Sequence, residues 1–214
     1  NNNNFLIIPL LNSYNKHKSN IIKNKNSKII KYVYIGSLSN IRNIEFWMNC
    51  FYKVSQNYNN FNITLFGNNS EDVKKITQLE SFKKLKHKGL IYINNKINRN
   101  KLNEKLINFD VGISLIPPLD IYLESAPTKL TEYMHSGLVL LANKEIKFQK
   151  DIILQSQSGK LCEWNKNDIM KNIIQINKMK EDKLIDYKKN SYNFCMNNLS
   201  YDQYVNFFIK EHMN

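Results

Sequence analysis

Two glutamates, Glu124 and Glu132, enclose a segment whose residue types suit the start of a helix that binds an anion. Pro127 fits the first turn of a helix, where its missing N–H is not needed. Ser125 is a predicted N-cap, because its hydroxyl can accept a bond from a free N–H of the first turn. A helix start at the carboxyl edge of a sheet presents free N–H groups and a positive dipole end, which together favour a phosphate.

The charged side chains around this helix start indicate a class of ligand. Lys129 lies in the first turn and can add a full positive charge for a phosphate. Glu132 lies about a turn and a half into the helix, where its carboxylate can accept bonds from sugar hydroxyls, and Glu124 lies in the preceding loop. Two carboxylates on either side of a phosphate-binding helix start fit a nucleotide sugar. Two glutamates eight residues apart also occur by chance in many proteins, so spacing alone leaves both interpretations open.

The elements that must position this segment alternate along the chain. Short apolar runs predict six strands, at 32–35, 63–66, 90–93, 110–116, 138–141 and 159–162. Periodic or polar stretches between them predict helices, at 44–52, from about 70, at 101–108 and at 127–135 with Gly137 as C-cap, followed by two or three more over 167–212 with breaks near Glu181 and Ser200. Strands alternating with helices predict an α/β fold with a doubly wound, Rossmann-like parallel sheet. Ligands of such sheets bind outside the carboxyl ends of the strands, so the loops after Ile35, Phe66, Ile93 and Ile116 are the candidate site.

The net charge of +13 raises the possibility of a nucleic acid or an anionic membrane surface as partner. However, 29 of the 31 basic residues are lysine, and Asn, Lys and Ile together supply 91 of the 214 residues. This bias is typical of A- and T-rich codons. Proteins that read bases or clamp phosphates favour arginine, and only Arg42 and Arg99 are present. The composition therefore favours a solvated lysine coat and makes a nucleic-acid partner the minor alternative.

Cysteine usage and hydropathy exclude several other classes. Cys50, Cys162 and Cys195 are widely spaced and odd in number, which predicts a reducing compartment and three buried or unreactive thiols, and neither a disulfide framework nor a zinc site. No apolar run approaches the length of a membrane-spanning helix. The pattern of the first residues is not that expected of a signal peptide.

Motifs across residues 32–165 resemble glycosyltransferase family 4, in the C-terminal, donor-binding half of the GT-B fold. The two glutamates with seven residues between them, followed by Tyr-Met and Ser-Gly-Leu, are similar to the signature of that family. Tyr-Ile-Gly-Ser-Leu at 34–38 resembles the family's first strand and glycine loop, and Arg42 stands where the family has a basic residue for phosphate. Leu-Phe-Gly at 65–67 and the run Phe109 to Pro117 are similar to two further strands with their turns.

The resemblance implies a role for each matching residue. Glu132 matches the residue that bonds the ribose hydroxyls of the donor nucleotide, and Glu124 matches the one that contacts the donor sugar near its reacting carbon. Arg42 matches the basic residue that neutralises the leaving diphosphate, so that the resemblance makes Glu124 and Arg42 the catalytic pair. The remaining substrate-binding positions implied are two in the glycine loop, two in a loop that holds the base and four at the helix start: Gly36, Ser37, Lys96, Ile97, Ser125, Ala126, Pro127 and Thr128.

Three positions depart from the family pattern. Ser37 stands where the family often has arginine, so one charge on the diphosphate is missing unless Lys129 replaces it. Asn95 aligns with a glycine that is common in the base-binding loop; asparagine tolerates positive φ better than most residues. Ser-Ala-Pro at 125–127 replaces the common Ser-Phe-Gly. Tyr122 and Trp164 fit a pocket as well as ordinary packing, and His135 receives no role.

The resemblance also implies a larger parent molecule. Members transfer a sugar from a nucleoside diphosphate with retention and without a bound metal or other cofactor, and a preceding N-terminal domain holds most of the acceptor, a glycan or lipid-linked sugar. Residues 1–31 are then a linker and the remnant of that domain, 32–165 the nucleotide-sugar-binding domain, and 166–214 helices that pack on it. The implied location is cytoplasmic, with possible contact to the inner membrane face. A noncatalytic sugar-nucleotide or polyanion-binding module stays open as the alternative.

Overall fold

The computed structural model describes residues 29–67, 69–94 and 101–199. In this part of the chain, six strands form one parallel sheet: β1 Ile30–Ile35, β2 Phe61–Phe66, β3 Ile91–Asn94, β4 Val111–Ser114, β5 Val139–Asn143 and β6 Gly159–Cys162. Their order is β3-β2-β1-β4-β5-β6, with β1 in register with β2 from Ile30↔Phe61 and with β4 from Tyr32↔Val111. The predicted doubly wound parallel sheet is therefore confirmed. Because the winding reverses between β1 and β4, their carboxyl ends form the switch point at which such folds bind ligands.

Helices cover both faces of this sheet. They are α1 Ile44–Val54, α2 Ser70–Gln78, α3 Glu80–His87, α4 Leu102–Leu106, α5 Asp120–Leu123, α6 Thr128–His135, α7 Lys147–Ser156, α8 Lys166–Asn177 and α9 Glu181–Asn198, with a short 3₁₀ helix at Asn40–Arg42. One buried cluster contains side chains of α1, α3 and α8, and the other contains side chains of α4, α6 and α7. Leu184 and Tyr187 of α9 pack against the first cluster, whereas Cys195 of α9 and Leu199, the residue after the helix, belong to the second.

The alternating side chains of β1 explain the two layers. Tyr32 and Tyr34 point into the first cluster, and Val33 and Ile35 point into the second, as the twofold period of a strand requires. All four are buried, which is why residues 32–35 of β1 form an uninterrupted apolar run in the sequence. The predicted stripe of α1 is confirmed as well, since its apolar residues Ile44, Trp47, Met48 and Phe51 are buried against this sheet.

The boundaries of several elements differ from prediction. The helical stretch after residue 70 is two helices, because Leu79 between them adopts an extended backbone (φ −61°, ψ 139°). The fourth strand ends at Ser114 and not at residue 116, because the Ile116 N–H bonds the Asn143 side chain. The short helices at Asn40–Arg42 and α5 were not predicted. The break predicted near Ser200 lies outside the described residues.

A buried ion pair attaches α9 to the sheet. Lys188 Nζ lies 2.6 Å from Asp110 Oδ1, and the two side chains are only 10% and 5% exposed. The second carboxylate oxygen of Asp110 accepts a bond from the Lys31 N–H at 2.9 Å. The pair therefore joins the start of β4, the start of β1 and the middle of the last described helix. Within the described residues, no helix is long and apolar enough to cross a membrane.

Candidate functional site

A cleft of about 490 Å³ lies at the carboxyl ends of β1 and β4, at the switch point of the sheet. It is lined by the end of β1 and its glycine loop, by the 3₁₀ helix, by the segment after β4 and by the start of α6. The lining residues are Tyr34, Ile35, Gly36, Ser37, Arg42, Phe66, Leu102, Ile116, Tyr122, Ser125, Ala126, Pro127, Thr128, Lys129 and Glu132. Gly36 has a φ of +131°, a backbone conformation that L side chains rarely adopt, so this turn requires glycine.

Tyr133 fixes α6 against the switch point. Its ring lies on Gly112 of β4, where a β-carbon would come within 2.3 Å of the ring. Its hydroxyl accepts a bond from the Ile35 N–H at 2.9 Å and donates to the Ile113 carbonyl at 3.3 Å. Burial raises the pKa of this hydroxyl well above its usual range, so it stays protonated. One side chain thus sets the position of the helix start relative to the glycine loop.

Replacing Tyr133 with phenylalanine is expected to lower the free energy of unfolding by about 1–3 kcal/mol, because the buried Ile35 N–H loses its acceptor. Tyr92→Phe is the matched control: the Tyr92 hydroxyl bonds the Gly89 carbonyl at an exposed position, where substitutions usually change stability by less than about 0.5 kcal/mol. Urea unfolding of both variants makes the comparison. Equal losses would show that the buried hydroxyl does not anchor α6.

Two cations from different elements face the same cleft. Lys129 Nζ lies 4.5 Å from the centre of the Tyr34 ring, and the Arg42 guanidinium carbon lies 4.6 Å from the centre of the Tyr122 ring. Cations at this distance over an aromatic face are attracted to it. Burial, together with the charge of Arg42, lowers the pKa of Lys129 to about 7, against the opposing effect of Glu132. A negative charge added to that of Glu132 would raise the pKa of Lys129 again and favour its charged form, so the cleft favours an anionic ligand.

The structure brings most of the predicted substrate-binding residues together. Those that line the cleft are Gly36, Ser37, Arg42, Ser125, Ala126, Pro127, Thr128, Lys129 and Glu132. Glu124 does not line it: its side chain is 77% exposed, and its carboxylate lies 3.5 Å from Lys147 Nζ. Lys96 and Ile97, predicted to hold the base, lie outside the described residues. The functional roles of all these residues stay predictions.

The prediction that Ser125 caps the helix is wrong. The N-cap of α6 is Pro127, in an extended conformation (φ −68°, ψ 114°), and no side chain caps it. The Ser125 hydroxyl instead donates to the Tyr122 carbonyl at 2.8 Å, which also accepts the Ser125 N–H. Both bonds attach Ser125 to the end of the unpredicted helix α5. No side chain therefore caps the first turn of α6, whose residues Thr128 and Lys129 line the cleft.

A buried polar network holds the segment that leads out of β4, and sequence reasoning did not find it. Asn143 at the end of β5 accepts the Ile116 N–H at 2.8 Å and donates to Glu145 at 2.8 Å. The other oxygen of Glu145 accepts the Trp164 N–H at 2.8 Å. Gln149 bonds Ser114 and the Asn143 carbonyl, so the network spans β4, β5 and α7. The only sequence signal was a polar Asn ending an apolar strand.

Other side chains from the sequence analysis have packing positions. Trp164 stacks on Phe46 with ring centres 5.0 Å apart, away from the cleft, whereas Tyr122 lines the cleft. The three cysteines are buried and free, as predicted. Burial raises the pKa of the Cys195 thiol to about 12 and that of Cys50 to about 11, so neither is a nucleophile near neutral pH. The described residues contain no group of three His, Cys, Asp or Glu side chains that could hold a metal ion.

Comparison with solved structures places this fold. No protein-family model and no curated protein matches the sequence. WaaG, a glycosyltransferase involved in lipopolysaccharide biosynthesis, matches 89% of this chain with a TM-score of 0.67 and 12% identity. The C-terminal domain of a group 1 glycosyl transferase, LpcC from Francisella tularensis, matches 81% of this chain with a TM-score of 0.63 and 16% identity. The chain has the fold of a GT-B glycosyltransferase domain.

This chain covers only part of the length of the larger solved structures. The chain spans 48% of the WaaG chain and 36% of S. aureus TarM, which was solved in complex with UDP and matches 87% of this chain with a TM-score of 0.65 and 15% identity. By contrast, it spans 89% of the isolated LpcC C-terminal domain. The GT-B domain described here therefore corresponds in size to one domain of such enzymes, and spans about half or less of their full length.

Proposed function

We propose that this chain is the donor-binding domain of a retaining glycosyltransferase, which transfers a sugar from a nucleoside diphosphate sugar to a glycan or lipid-linked acceptor. The observation that carries the proposal is the cleft at the switch point, where Arg42 and Lys129 lie beside the uncapped start of α6. A GT-B fold and UDP-bound TarM among its structural neighbours support a nucleotide as the ligand.

The diphosphate is proposed to lie between the glycine loop and α6. Gly36, Ser37 and Thr128 line that space, and the start of α6, which is the positive end of its helix dipole, borders it. Arg42 would bond the leaving phosphate, since charge-assisted bonds from arginine to phosphate are strong. Lys129 would supply the positive charge that members of the family often obtain from an arginine at the position of Ser37. These groups stabilise negative charge where it develops as the glycosidic bond breaks.

The two glutamates are proposed to contact the donor's sugars. Glu132, partly buried in the cleft, would accept bonds from the ribose hydroxyls. Glu124 would orient the transferred sugar. Its exposed position beside Lys147 means that the side chain must leave that ion pair when the donor binds. Ion pairs this exposed contribute about 0–1 kcal/mol to stability, so separating Glu124 from Lys147 costs little free energy.

The parent enzyme is proposed to contain a preceding domain for the acceptor. Under this proposal residues 1–31 connect the two domains, 32–165 bind the donor and 166–214 pack on the donor domain. The chain by itself then binds a nucleotide but transfers no sugar, and a nucleotide-sugar turnover assay at ordinary enzyme rates would contradict this. A cytoplasmic location, in peripheral contact with a membrane that carries lipid-linked acceptors, belongs to the same proposal.

Arg42→Ala is expected to weaken binding of the preferred nucleoside diphosphate more than tenfold, about 1.4 kcal/mol or more. The preferred nucleotide is first chosen by thermal shift with UDP, GDP and ADP, because a ligand that binds only the folded state raises its melting temperature. Calorimetric titration then compares Arg42→Ala with Lys189→Ala, which removes an equal charge at an exposed position of α9. Equal affinities in the two variants would contradict the assignment of Arg42.

A noncatalytic module is the second candidate, favoured by Ser37 in place of arginine and by the exposed position of Glu124 outside the cleft lining. It predicts nucleotide binding that is unaffected by Glu124→Ala even when the complete parent enzyme is used. A polyanion-binding module would instead show affinity that falls steeply with salt and does not depend on the base. Titration at two salt concentrations separates that module from a nucleotide-specific site.

A further inference from the structure

A second and larger concavity, of about 1050 Å³, shares no residue with the donor cleft. We call it the lysine groove. It is formed by the end of α1 and the turn that follows, by one face of α8, by the start of α9 and by the first half of β6. Its lining residues are Lys53, Val54, Asn57, Tyr58, Lys160, Asn167, Met170, Lys171, Ile174, Gln175, Lys178, Met179, Lys180, Lys183 and Tyr187.

The lysine groove is elongated along α8. Its residues on that helix and just beyond it recur with a spacing of three or four, from Asn167 through Met170, Ile174 and Lys178, so they form one helical face. At 1.5 Å per residue this face is about 16 Å long. The middle of the face is apolar, because Met170 and Ile174 lie there and Tyr187 approaches it from α9. An extended hydrocarbon chain fits such a surface better than a compact ion does.

The rim of the lysine groove is strongly basic. Six of its fifteen residues are lysine, whereas lysine is about one residue in seven of the whole chain, and none of the fifteen is acidic. Within the described part of the chain, none of these six lysines forms a salt bridge. Two of the ammonium groups lie over aromatic rings of the groove, Lys178 at 4.8 Å from Tyr58 and Lys183 at 4.9 Å from Tyr187. Repulsion among these ammonium groups is reduced when an anion binds between them, so the groove favours an anionic ligand.

We propose that the lysine groove binds an anionic lipid, with the acidic headgroup at the lysine rim and the hydrocarbon along Met170 and Ile174. Lysine, a compact point charge, suits a phosphodiester headgroup that needs no bidentate recognition. The lysine stems can lie along apolar surface while their ammonium groups stay at the polar boundary. The lysine groove shares no residue with the donor cleft, so a loss of lipid binding and a loss of nucleotide binding can be distinguished by experiment.

The test is flotation with vesicles of phosphatidylglycerol and phosphatidylcholine in equal parts, and with phosphatidylcholine alone. The variant Lys171→Glu/Lys178→Glu/Lys183→Glu is expected to bind the anionic vesicles at least tenfold more weakly than the wild type. The control Lys74→Glu/Lys83→Glu/Lys105→Glu carries the same change in net charge at exposed positions outside the groove and is expected to lose less than threefold. Melting temperatures confirm that both are folded. Equal loss in the two variants would overturn the proposal, because it would show only an effect of net charge.

A second measurement distinguishes a lipid from other anions. Dihexanoyl phosphatidylglycerol, a short-chain lipid used below its micelle concentration, is titrated against glycerol 3-phosphate, which lacks the hydrocarbon. The lipid is expected to bind the wild type at least tenfold more tightly, and the triple groove variant is expected to lose that difference. Equal affinities would overturn the proposal by showing a simple phosphate site. Binding of a glutamate-rich amphipathic peptide with no lipid binding would overturn it in favour of a protein partner.

Discussion

Lys188→Ala is expected to lower the free energy of unfolding by about 3–5 kcal/mol, the loss typical when one partner of a buried ion pair is removed. The Asp110 carboxyl group, which is only 5% exposed, would then lose the ammonium group that now lies 2.6 Å from its Oδ1. The loss falls on a contact that joins α9 to the start of β4. Urea unfolding measures it directly.

Two further variants test whether the stability loss of Lys188→Ala comes from the loss of charge pairing with Asp110. The double variant Lys188→Met/Asp110→Leu removes both charges and should recover much of the stability, because apolar replacement of a whole buried pair is often neutral. Lys144→Ala breaks the pair with Glu163, whose side chains are 48% and 54% exposed, and should cost no more than about 1 kcal/mol. A Lys188→Ala loss as small as that of Lys144→Ala would contradict this account of the interior.

Nucleoside diphosphate affinity is expected to fall by up to about tenfold for each pH unit between 7 and 9. Burial and Arg42 lower the pKa of Lys129 to about 7 in the empty cleft, and a bound diphosphate favours the charged ammonium. Below pH 7 the ammonium is already present, whereas above it each binding event must first protonate the amine. The terminal phosphate of the ligand has a pKa of about 6, so its own charge is nearly constant over this range.

Lys129→Met is the variant that tests this origin of the pH dependence. It removes the titrating group but keeps an unbranched side chain over the Tyr34 ring, so its lower affinity should not change between pH 7 and 9. Burial raises the pKa of the Tyr34 hydroxyl, whose ring lies beside Lys129, well above its usual range, so Tyr34 does not titrate there. Calorimetry across this pH range makes the comparison. If the affinity of Lys129→Met still falls between pH 7 and 9, the group that takes up the proton is not Lys129.

Much of the fold follows from local sequence patterns. The stripe of α1 and the apolar runs of the strands are periodic, so the helix, the strands and their parallel arrangement could be predicted. The break at Leu79 could not be, because neither glycine nor proline marks it. The ion pair of Lys188 with Asp110 joins residues 78 positions apart, and no local pattern indicates which of 29 lysines would be buried.

The residues of the candidate site could be predicted where they belong to a sequence motif, but not where tertiary packing determines their position. Arg42 and the helix after Pro127 were identified from spacing and family resemblance, and both line the cleft. The position of Lys129 over Tyr34 depends on how α6 lies on β1, which Tyr133 and Gly112 set together. Glu124 has the expected spacing but is exposed, because α5 redirects the loop before α6. Sequence therefore predicted most of the residues that line the cleft, but not that the Glu124 side chain lies outside it.

The most direct test of the central claim is to locate nucleotide binding by ¹H–¹⁵N NMR on the labelled chain, titrated with the nucleoside diphosphate selected by thermal shift. The account predicts saturable amide shifts centred on Gly36, Ser37 and Thr128 to Glu132, and far smaller shifts in Arg42→Ala at equal ligand concentration. No shifts at saturating nucleotide, or shifts confined to the lysine groove along α8, would contradict the assignment of the cleft at the switch point as the donor site.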